Sequence, residues 1–277
     1  MNSSEMRFDG QVSIVTGAGG PEPNLGRSFA MLLAARGAKV VVNDLGVGAD
    51  GRGGLYKASA EAVTKEIRSA GGEAVADTQD VGDPASAKAI VQSAIDTWGR
   101  IDILVNNAVA RFASPVEQFP VGEWDLGIAV NISAAFHTIR LALPGMRLRN
   151  WGRIINVSSI YGLIGGVNRI SYVTSKTALI GMTRAVALET RGHDITCNAV
   201  CPGTVETPVH IKTVEQMMAA ESLSRAEAEQ RFLANKQPGG RFISAEDVAG
   251  MLLFLCGPES RDITGAALPI DGGWSIA

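Results

Sequence analysis

A tyrosine and a lysine that could act together in proton transfer lie four residues apart. Tyr172 and Lys176 stand at the start of a segment with helical spacing, so both side chains project from one face. Ser159 lies 13 residues before Tyr172, after a short apolar run. A phenol with its ordinary pKa of about 10 is a poor base at neutral pH, but a nearby ammonium favours the phenolate. Because a serine hydroxyl can hold a substrate oxygen, the three residues predict acid–base catalysis between an alcohol and a ketone.

A glycine-rich segment near the amino terminus has the pattern of a nucleotide phosphate site. An apolar run leads into Thr16-Gly17-Ala18-Gly19-Gly20, and Asn24-Leu25-Gly26 then opens a helical segment. Glycines let the backbone approach a pyrophosphate, whose charge is favourable at the amino end of a helix. Asp44 ends the second apolar run, 18 residues after Gly26. A carboxylate there would bind ribose hydroxyls and repel a 2′-phosphate, so NAD is favoured over NADP.

Two arginines near this segment could offset the charge of Asp44. Arg27 follows Gly26 directly, and Arg52 lies in the loop after Asp44. Either guanidinium would compensate only partly. With NAD bound, hydride transfer would accompany proton transfer at Tyr172, and a positively charged nicotinamide would further favour the phenolate.

Short apolar runs alternate with longer helical segments along almost the whole chain. The runs are almost wholly apolar, which suits strands buried on both faces of a parallel sheet. They are Val12–Thr16, Lys39–Asp44, Glu73–Asp77, Ile103–Asn106, Arg153–Ser158, Ile195–Val200 and Ala267–Ile270. Helices are expected at about 25–36, 57–71, 85–98, 121–149, 172–191 and 245–256. The pattern predicts an α/β fold, a single doubly wound Rossmann-type domain over residues 1–277 with a parallel sheet of about seven strands.

Residues 203–240 interrupt this alternation. The stretch contains two predicted helices and no strand, and it lies between the sixth strand and the last helix. An insertion there emerges at the carboxyl end of the sheet, where ligands bind to open α/β folds. We therefore expect a helical substrate lid, and a merely structural helical hairpin is the alternative.

The bulk composition excludes several classes of protein. With 277 residues, 46% of them hydrophobic, and a net charge of −3, the chain has no basic surface for nucleic acid or anionic lipid. Three cysteines and three histidines show no zinc-ligand spacing, so a metal-dependent alcohol dehydrogenase is not expected. The first residues lack the order of a secretory signal, and no uninterrupted apolar run approaches the length of a membrane helix. We expect a soluble, cytoplasmic enzyme.

From about Gly10 to Gly273 the chain resembles the short-chain dehydrogenases/reductases. The likeness rests on short motifs at the ends of the predicted strands. They are the glycine turn, Asp80-Val81, Asn106-Asn107-Ala108, Asn131, Ser159, Tyr172 with Lys176, Pro202-Gly203 and Asp271-Gly272-Gly273. The resemblance implies the fold predicted above, a nicotinamide cofactor and assembly as a homotetramer.

The resemblance also implies roles for individual residues. Ser159, Tyr172, Lys176 and Asn131 would be catalytic, with Asn131 kinking its helix and holding a water that relays protons to Lys176. Lys176 would also bind the nicotinamide ribose, and Asp80 and Val81 would hold the adenine. The residues implied in cofactor binding are Gly17, Asn24, Leu25, Gly26, Asp44, Asp80, Val81, Asn106, Asn107, Ala108, Tyr172, Lys176, Pro202, Gly203, Val205 and Thr207.

One departure concerns the glycine turn. Six residues separate Gly17 from Asn24, where the family pattern has three before a Gly-x-Gly pair. Asn24 therefore replaces the middle glycine, and about three residues within 20–23 are extra. The final glycine and its helix remain, so we expect the loop still to bind a pyrophosphate.

Two subfamilies resemble different parts of the chain. The carboxyl-terminal half is most similar to D-3-hydroxybutyrate dehydrogenases, as in ALETRGHDITCNAVCPG, the lid stretch SRAEAEQRFLANKQP and the ending FLCGPESRDITGAALPIDGGW. The segment VVVNDLGVGADGRGG is similar to the 3-hydroxyacyl-CoA dehydrogenase units of multifunctional enzymes. The residues that hydroxybutyrate dehydrogenases use on the substrate carboxylate are not kept, so that substrate is not carried over.

Three residues at the substrate positions of those relatives differ in chemistry from theirs. Arg111 and Arg169 replace a glutamine and a lysine, and Tyr161 replaces a histidine. A guanidinium matches a carboxylate in a bidentate way, so the two arginines favour an acidic or acyl-type hydroxy substrate. Ile160 and Tyr161 would equally suit an aromatic, terpenoid or steroid alcohol. The alternative for both arginines is a solvated loop position.

Two other functions fit part of the pattern. Enoyl reductases of this family also lengthen the glycine turn, but they place six residues between tyrosine and lysine where this chain has three. A catalytically idle NAD-binding regulator would be marked by a missing tyrosine, lysine or serine. All three residues are present, so an active oxidoreductase is favoured.

Overall fold

A seven-stranded parallel sheet organises the part of the chain that the structure, a computed structural model, describes: residues 6–48 and 59–277. The strand order is β3-β2-β1-β4-β5-β6-β7. The strands are β1 (Val12–Thr16), β2 (Lys39–Asn43), β3 (Ala74–Asp77), β4 (Ile103–Asn106), β5 (Trp151–Val157), β6 (Asp194–Pro202) and β7 (Ala267–Ile270). The order reverses between β1 and β4, which places a crevice at their carboxyl ends.

Helices cover both faces of the sheet. They are α1 (Leu25–Ala35), α2 (Ser59–Ser69), α3 (Pro84–Trp98), α4 (Val121–Ile128), α5 (Ala134–Arg149), α6 (Ile170–Glu189), α7 (Pro208–Glu221), α8 (Arg225–Leu233) and α9 (Ala245–Cys256). One buried apolar cluster joins α1, α2 and α9 to the sheet, and a second joins α3, α5 and the end of α6 to its other face. Both faces are therefore closed to water, which is why the strands are continuous apolar runs.

The structure confirms the fold class and most predicted boundaries. Three strands, β1, β4 and β7, have the predicted limits, while β6 is longer than expected at both ends. Helix α3 is capped at both ends. Asp83 accepts a hydrogen bond from the backbone N–H of Ser86 (2.7 Å) at the start of α3, and Gly99 ends that helix at a φ of 76°.

The helix predicted over 121–149 is interrupted by a π-helical turn at Ala129–Ser133. Val121–Arg149 is long and apolar enough to cross a membrane by length and composition alone. Its carboxyl-terminal part, α5, packs on α3, β4 and β5 through residues such as Ile139 and Met146, which are buried in the core. The apolar face of α5 therefore covers the sheet.

The lid region (residues 203–240) contains the two predicted helices. Pro208 occupies the first turn of α7, and Ser224 and Glu227 form a reciprocal capping box at the start of α8. Val214 of α7 and Ala228 and Leu233 of α8 are buried. The pair follows β6 directly and so lies at the carboxyl edge of the sheet.

Candidate active site

The turn after β1 brings backbone atoms unusually close together. A Cβ on Gly26 would lie 2.1 Å from the carbonyl oxygen of Gly17, and one on Gly17 would lie 2.8 Å from Cα of Ala108. Gly17 also has a φ of +63°, which a side chain rarely adopts. The amide of Asn107 donates to the carbonyl oxygens of Thr16 and Gly17, both at 2.9 Å. Glycine at 17 and 26 is therefore required for the start of α1 to approach β4.

Asn24, which stands where the family pattern has a glycine, caps the first turn of α1. It is the N-cap of α1, and its Oδ1 accepts the backbone N–H of Arg27 at 3.1 Å. A Cβ on Gly20 would clash with the side-chain amide of Asn24. The extra loop residues, within 20–23, therefore pack closely against the Asn24 side chain that caps α1. Leu25 is the first residue of α1, whose amino end faces the glycine turn. This arrangement offers the positive end of a helix dipole to an anion.

Asp44 lies just beyond β2, beside the glycine turn. Its two carboxylate oxygens accept the backbone N–H groups of Gly19 and Gly46, both at 2.8 Å. A carboxylate has about four acceptor positions, so two remain for further donors. Arg27 is paired with Glu22 (3.0 Å) and with Glu66 in α2. Burial lowers the pKa of its guanidinium, but these two acidic partners outweigh that effect and raise the pKa overall. Arg52 lies outside the described residues.

The other residues implied in cofactor binding lie along the same edge. Asp80 Oδ1 accepts the N–H of Gly82 at 2.8 Å, and Val81 beside it is buried. The Asn106 side chain is directed into the sheet, where it bonds Asn156 of β5 and Thr138 of α5. It contributes to a buried polar network, while Asn107 is the residue that holds the glycine turn.

The end of β6 leads into the lid through close contacts. Pro202 is the last residue of β6, and a Cβ on Gly203 would lie 2.8 Å from Oε1 of Gln237. The carbonyl oxygen of Val205 is 2.7 Å from Nδ1 of His210, and Thr207 is the N-cap of α7. The start of the lid is thus fixed against the carboxyl edge of the sheet.

Ser159, Tyr172 and Lys176 are brought together and buried at this edge. The Lys176 ammonium lies 5.6 Å from the centre of the Tyr172 ring and donates to the carbonyl oxygen of Val157 at 2.7 Å. Ser159 caps a short helical turn, its Oγ accepts the backbone N–H of Tyr161 at 3.2 Å, and its hydroxyl lies close enough to Tyr172 to lower the pKa of the phenol. The predicted convergence of phenol, ammonium and hydroxyl therefore exists in this fold.

Asn131 lies inside the π-helical turn between α4 and α5. Its amide pairs with both backbone groups of Ala110, at 2.8 Å and 3.0 Å, and donates to the Ser175 hydroxyl at 3.1 Å. Ser175 is in α6, between Tyr172 and Lys176. Asn131 thereby joins the loop after β4 to the helix that carries the tyrosine, and such π turns are frequent at functional sites.

The surroundings of Tyr172 change its acidity. Burial raises the pKa of the phenol, but the charges of Arg111 and Lys176, the hydrogen bond with Ser159 and the charge of Arg169 outweigh that effect. The pKa of Tyr172 therefore falls below its ordinary value. Burial also lowers the pKa of Lys176, which the neighbouring phenol partly restores. The site favours the phenolate at lower pH than free tyrosine would.

Two of the three residues proposed for substrate binding, Arg111 and Tyr161, border Tyr172, and the third, Arg169, lies beside Tyr161. The Arg111 guanidinium carbon lies 5.3 Å from the Tyr172 ring centre, and its Nε is buried without a hydrogen-bond partner among the described residues. The Tyr161 ring lies 6.1 Å from that of Tyr172. Gly166 lies between Tyr161 and Arg169. A Cβ on Gly166 would lie 2.6 Å from the Tyr161 ring and 3.4 Å from Cγ of Arg169.

The sequence did not single out several residues that border this site. Trp274, near the chain end, lies edge-on to Tyr161 at 5.4 Å. In the lid, the His210 ring lies 5.7 Å from Phe232 and 6.3 Å from Phe242, and the Lys236 ammonium lies 3.5 Å from the Phe232 ring centre. No local pattern marks these residues, because each acquires its neighbours only when the lid folds over the sheet edge.

The described residues contain no group of three or more histidine, cysteine and acidic side chains placed to hold a metal ion. The three cysteines are buried and free, and burial raises the pKa of Cys201, which lies near Lys176, to about 11.

Comparison with known proteins identifies the family. A family model described as Enoyl-(Acyl carrier protein) reductase matches residues 21–275. D-beta-hydroxybutyrate dehydrogenase of Cupriavidus necator is 37% identical over 269 residues, covering 96% of this chain and 98% of that protein. This chain belongs to the short-chain dehydrogenase/reductase family. The resemblance inferred from the motifs is confirmed.

Two further relatives of this short-chain dehydrogenase/reductase match the expected subfamilies and fold. Peroxisomal multifunctional enzyme type 2 of Drosophila melanogaster is 42% identical over 204 residues, which are 73% of this chain and 33% of that protein. A solved variant of actinorhodin polyketide ketoreductase with NADPH superposes with a TM-score of 0.84 at 32% identity, over 96% of this chain and 98% of that one.

The relatives also decide the reaction class. Hydroxybutyrate dehydrogenases and ketoreductases are named among them, so this short-chain dehydrogenase/reductase is an oxidoreductase that interconverts a secondary alcohol and a ketone. The family description names an enoyl reductase, but three residues separate Tyr172 from Lys176 here. The family uses a nicotinamide cofactor.

Proposed function

We propose that this enzyme is an NAD(H)-dependent dehydrogenase of anionic hydroxy compounds, with Tyr172 as its acid–base residue. The observation that carries the proposal is the position of Arg111, whose guanidinium lies 5.3 Å from the Tyr172 ring centre. Its buried Nε has no partner among the described residues, so the group is placed to meet an anion beside the reacting hydroxyl.

The side chains around Tyr172 have complementary tasks in this proposal. In alcohol oxidation, the Tyr172 phenolate accepts the hydroxyl proton of the substrate, and in ketone reduction the phenol returns it. Ser159 donates a hydrogen bond to the substrate oxygen. Lys176 and Arg111 stabilise the phenolate by charge, and Asn131 fixes the π turn against α6. The nicotinamide cofactor, when bound, supplies or accepts the hydride.

The residues at the glycine turn fit a dinucleotide. Gly17 and Gly26 have no room for a Cβ, so the turn packs closely against the start of α1, and the amino end of that helix favours a pyrophosphate. Gly17, Asn24, Leu25 and Gly26 would bind the pyrophosphate, and Asp44, Asp80 and Val81 the adenosine. Asn107, Ala108, Tyr172, Lys176, Pro202, Gly203, Val205 and Thr207 would bind the nicotinamide half.

Charge at the adenosine end supports NAD. The Asp44 carboxylate keeps acceptor positions for ribose hydroxyls, and its charge opposes a 2′-phosphate. Arg27 is neutralised by Glu22 and Glu66, so it is not available to compensate for Asp44. The ketoreductase named above holds NADPH, so the preference is a property to be measured in this chain.

A second candidate substrate class is an apolar alcohol. Tyr161 and Trp274 form an edge-on aromatic pair next to Tyr172, which would suit an aromatic or terpenoid group. The anionic class is favoured because Arg111 and Arg169 both reach this site, and each would lose hydration against a neutral ligand without gaining a partner.

A pair of substrates that differ in charge tests the proposal. Wild-type enzyme and Arg169→Gln are compared on 3-hydroxybutyrate and on 2-butanol by NADH formation, with Arg184→Gln on the exposed face of α6 as the control. We expect Arg169→Gln to lower kcat/KM for the acid by about 10- to 100-fold, since a hydrogen bond to a charged group contributes about 1.5–3 kcal/mol. Turnover of 2-butanol should change little. Equal losses on both substrates would contradict the anionic assignment.

We further propose that the lid closes over the substrate and that the enzyme is a soluble, cytoplasmic homotetramer. Exposed apolar residues on the outer faces of α5 and α6, such as Phe136 and Leu188, support association of subunits. The packing of α5 on the sheet supports a soluble protein.

A further inference from the structure

A continuous chain of hydrogen bonds runs from the backbone of Tyr172 to the residue before Arg111. The Ser175 hydroxyl donates to the carbonyl oxygen of Tyr172 at 3.0 Å and accepts the Asn131 amide at 3.1 Å. The Asn131 side chain then pairs with both backbone groups of Ala110, at 2.8 Å and 3.0 Å. The chain therefore links the start of α6 to the loop after β4.

Every residue in this connection is buried. Ser175 is fully buried, Asn131 is 2% exposed and Ala110 is 6% exposed. Both N–H groups of the Asn131 amide are in use, and the serine hydroxyl is donor and acceptor at once. Because these residues are shielded from solvent, removal of the Ser175 hydroxyl would leave an amide N–H of Asn131 without a partner, which is unfavourable.

A second close contact fixes the π-helical turn against α6. Gly127 lies in α4 just before this turn, and a Cβ on it would clash with the Ser171 hydroxyl. Ser171 is buried and directly precedes Tyr172. The end of α4 therefore packs on the first turn of α6, and the π turn that follows α4 is held close to the proposed base.

Arg111 depends on its backbone for its position beside the base. Its guanidinium carbon lies 5.3 Å from the Tyr172 ring centre, and its buried Nε has no hydrogen-bond partner among the described residues. One backbone anchor is Ala110, which directly precedes Arg111 and is bonded to the π turn. The other is Ser114, whose N–H donates to the carbonyl oxygen of Asn168 at 3.2 Å. A shift of the first anchor would move the guanidinium relative to the ring, while the second anchor would keep the loop folded.

We propose that Ser175 is a positioning residue of this enzyme, which holds Arg111 over the Tyr172 ring through Asn131 and Ala110. The inference rests on the proposed function, in which Tyr172 is the base and Arg111 meets the anionic group of the substrate. Ser175 acts only through these residues. Its hydroxyl sets the distance between the phenolate that accepts a proton and the guanidinium that stabilises it.

Charged and titratable groups act on Tyr172 from three parts of the chain. They are Arg111 in the loop after β4, Tyr161 in the loop after β5, and Arg169 and Lys176 at the start of α6. Among the described residues, the Asn131 side chain bonds only to the loop of Arg111 and to Ser175. A change at Ser175 should therefore reach the pKa of Tyr172 mainly through Arg111.

A double-mutant cycle between Ser175→Ala and Arg111→Gln tests the inference. NADH formation from 2-butanol at saturating NAD is measured against pH, and this readout does not require an anionic substrate. We expect Ser175→Ala to move the rising limb of kcat/KM to higher pH, because a displaced Arg111 lowers the pKa of Tyr172 less. In the Arg111→Gln background the same substitution should move the limb little, since the charge is already absent.

The same cycle on 3-hydroxybutyrate reports on substrate binding. Ser175→Ala should raise KM for the acid by about 2- to 10-fold, the range of one hydrogen bond, and this loss should shrink in the Arg111→Gln background. Thr174→Val removes an exposed hydroxyl from α6, so it is the matched control and should behave as wild type. Ser175→Cys keeps a weaker hydrogen-bonding group and should fall between wild type and Ser175→Ala. It carries the cycle if the Tm of the alanine variant is too low for assay.

The outcomes separate this inference from the proposed function. Equal effects of Ser175→Ala in both backgrounds would overturn the inference, because a general loosening of the site does not depend on Arg111. An unchanged pH limb together with an unchanged KM would overturn it as well, and in both cases the proposed function would remain. If only 2-butanol were oxidised, the anionic substrate class would fail while the pH limb still decided the inference. If neither hydroxy acids nor neutral alcohols gave NADH, the proposed function would fail and the inference with it.

Discussion

The two ends of the crevice use charge in opposite ways. At the end proposed to bind adenosine, the charged groups have partners within the chain: Asp44 accepts two backbone N–H groups, and Arg27 is paired with Glu22 and Glu66. At the substrate end, Arg111 and Arg169 lie near Tyr172 with no carboxylate paired to them among the described residues. The first end is formed mainly by backbone atoms, and the second mainly by long side chains.

The difference indicates how each end gains specificity. Backbone groups at a glycine turn present a fixed pattern of donors that suits one recurring ligand, the dinucleotide pyrophosphate. Side chains on loops and on a lid can be exchanged without disturbing the sheet, so they set which substrate is accepted. We therefore expect substitutions at the two ends to affect different measurements.

The largest expected effect is at the reacting centre. Tyr172→Phe should lower kcat by about 10²–10⁴-fold, the usual contribution of general acid–base catalysis, because the ring remains and only the proton-transferring hydroxyl is lost. NADH binding, measured by fluorescence titration, should stay nearly unchanged. Tyr161→Phe is the matched control and should retain most of the activity. Retained turnover in Tyr172→Phe would exclude this residue as the base.

A smaller effect is expected at the adenosine end. Asp44→Asn keeps an acceptor for the Gly19 N–H but removes the charge that opposes a 2′-phosphate. The ratio of kcat/KM for NAD to that for NADP should shift towards NADP by about 10- to 100-fold, in the range of one charge-assisted hydrogen bond. A wild-type preference for NADP, or an unchanged ratio in the variant, would refute the role of Asp44. The Tm of the variant checks that the turn is still folded.

The smallest expected effect is a displacement of the pH profile. Alcohol oxidation needs the phenolate, and the positive charge of Arg111 lowers the pKa of Tyr172. Arg111→Gln should raise that pKa, so the rising limb of kcat/KM for a neutral alcohol at saturating NAD should move to higher pH. Activity should fall at neutral pH and recover in alkali. Arg169→Gln should move the limb less, since its charge acts on Tyr172 more weakly. If the rising limb of the pH profile did not move in Arg111→Gln, Arg111 would not act on the pKa of Tyr172, and its role would be confined to substrate binding.

Much of the fold and part of the site were predictable because they depend on neighbours in sequence. β1 and β4 were identified from apolar runs, and Tyr172 and Lys176 share a face because they are one helical turn apart. The position of Asp44 after β2 follows from the same alternation of strands and helices. In each case the structural result depends on local periodicity and on the rule that parallel strands end at a common edge.

Only the tertiary structure decided which charges are paired and which are not. Arg27 is neutralised by Glu66, 39 residues away, and the end of the lid is held to the end of β6 because Gln237 is bonded to Thr204. Trp274 meets Tyr161 only where the chain end turns back over the sheet edge. The amino-acid sequence determined the sheet, the glycine turn and the tyrosine–lysine pair through short-range spacing. The balance of charge at each end depends on long-range contacts, because Coulomb interactions depend on distance in space and not on separation along the chain.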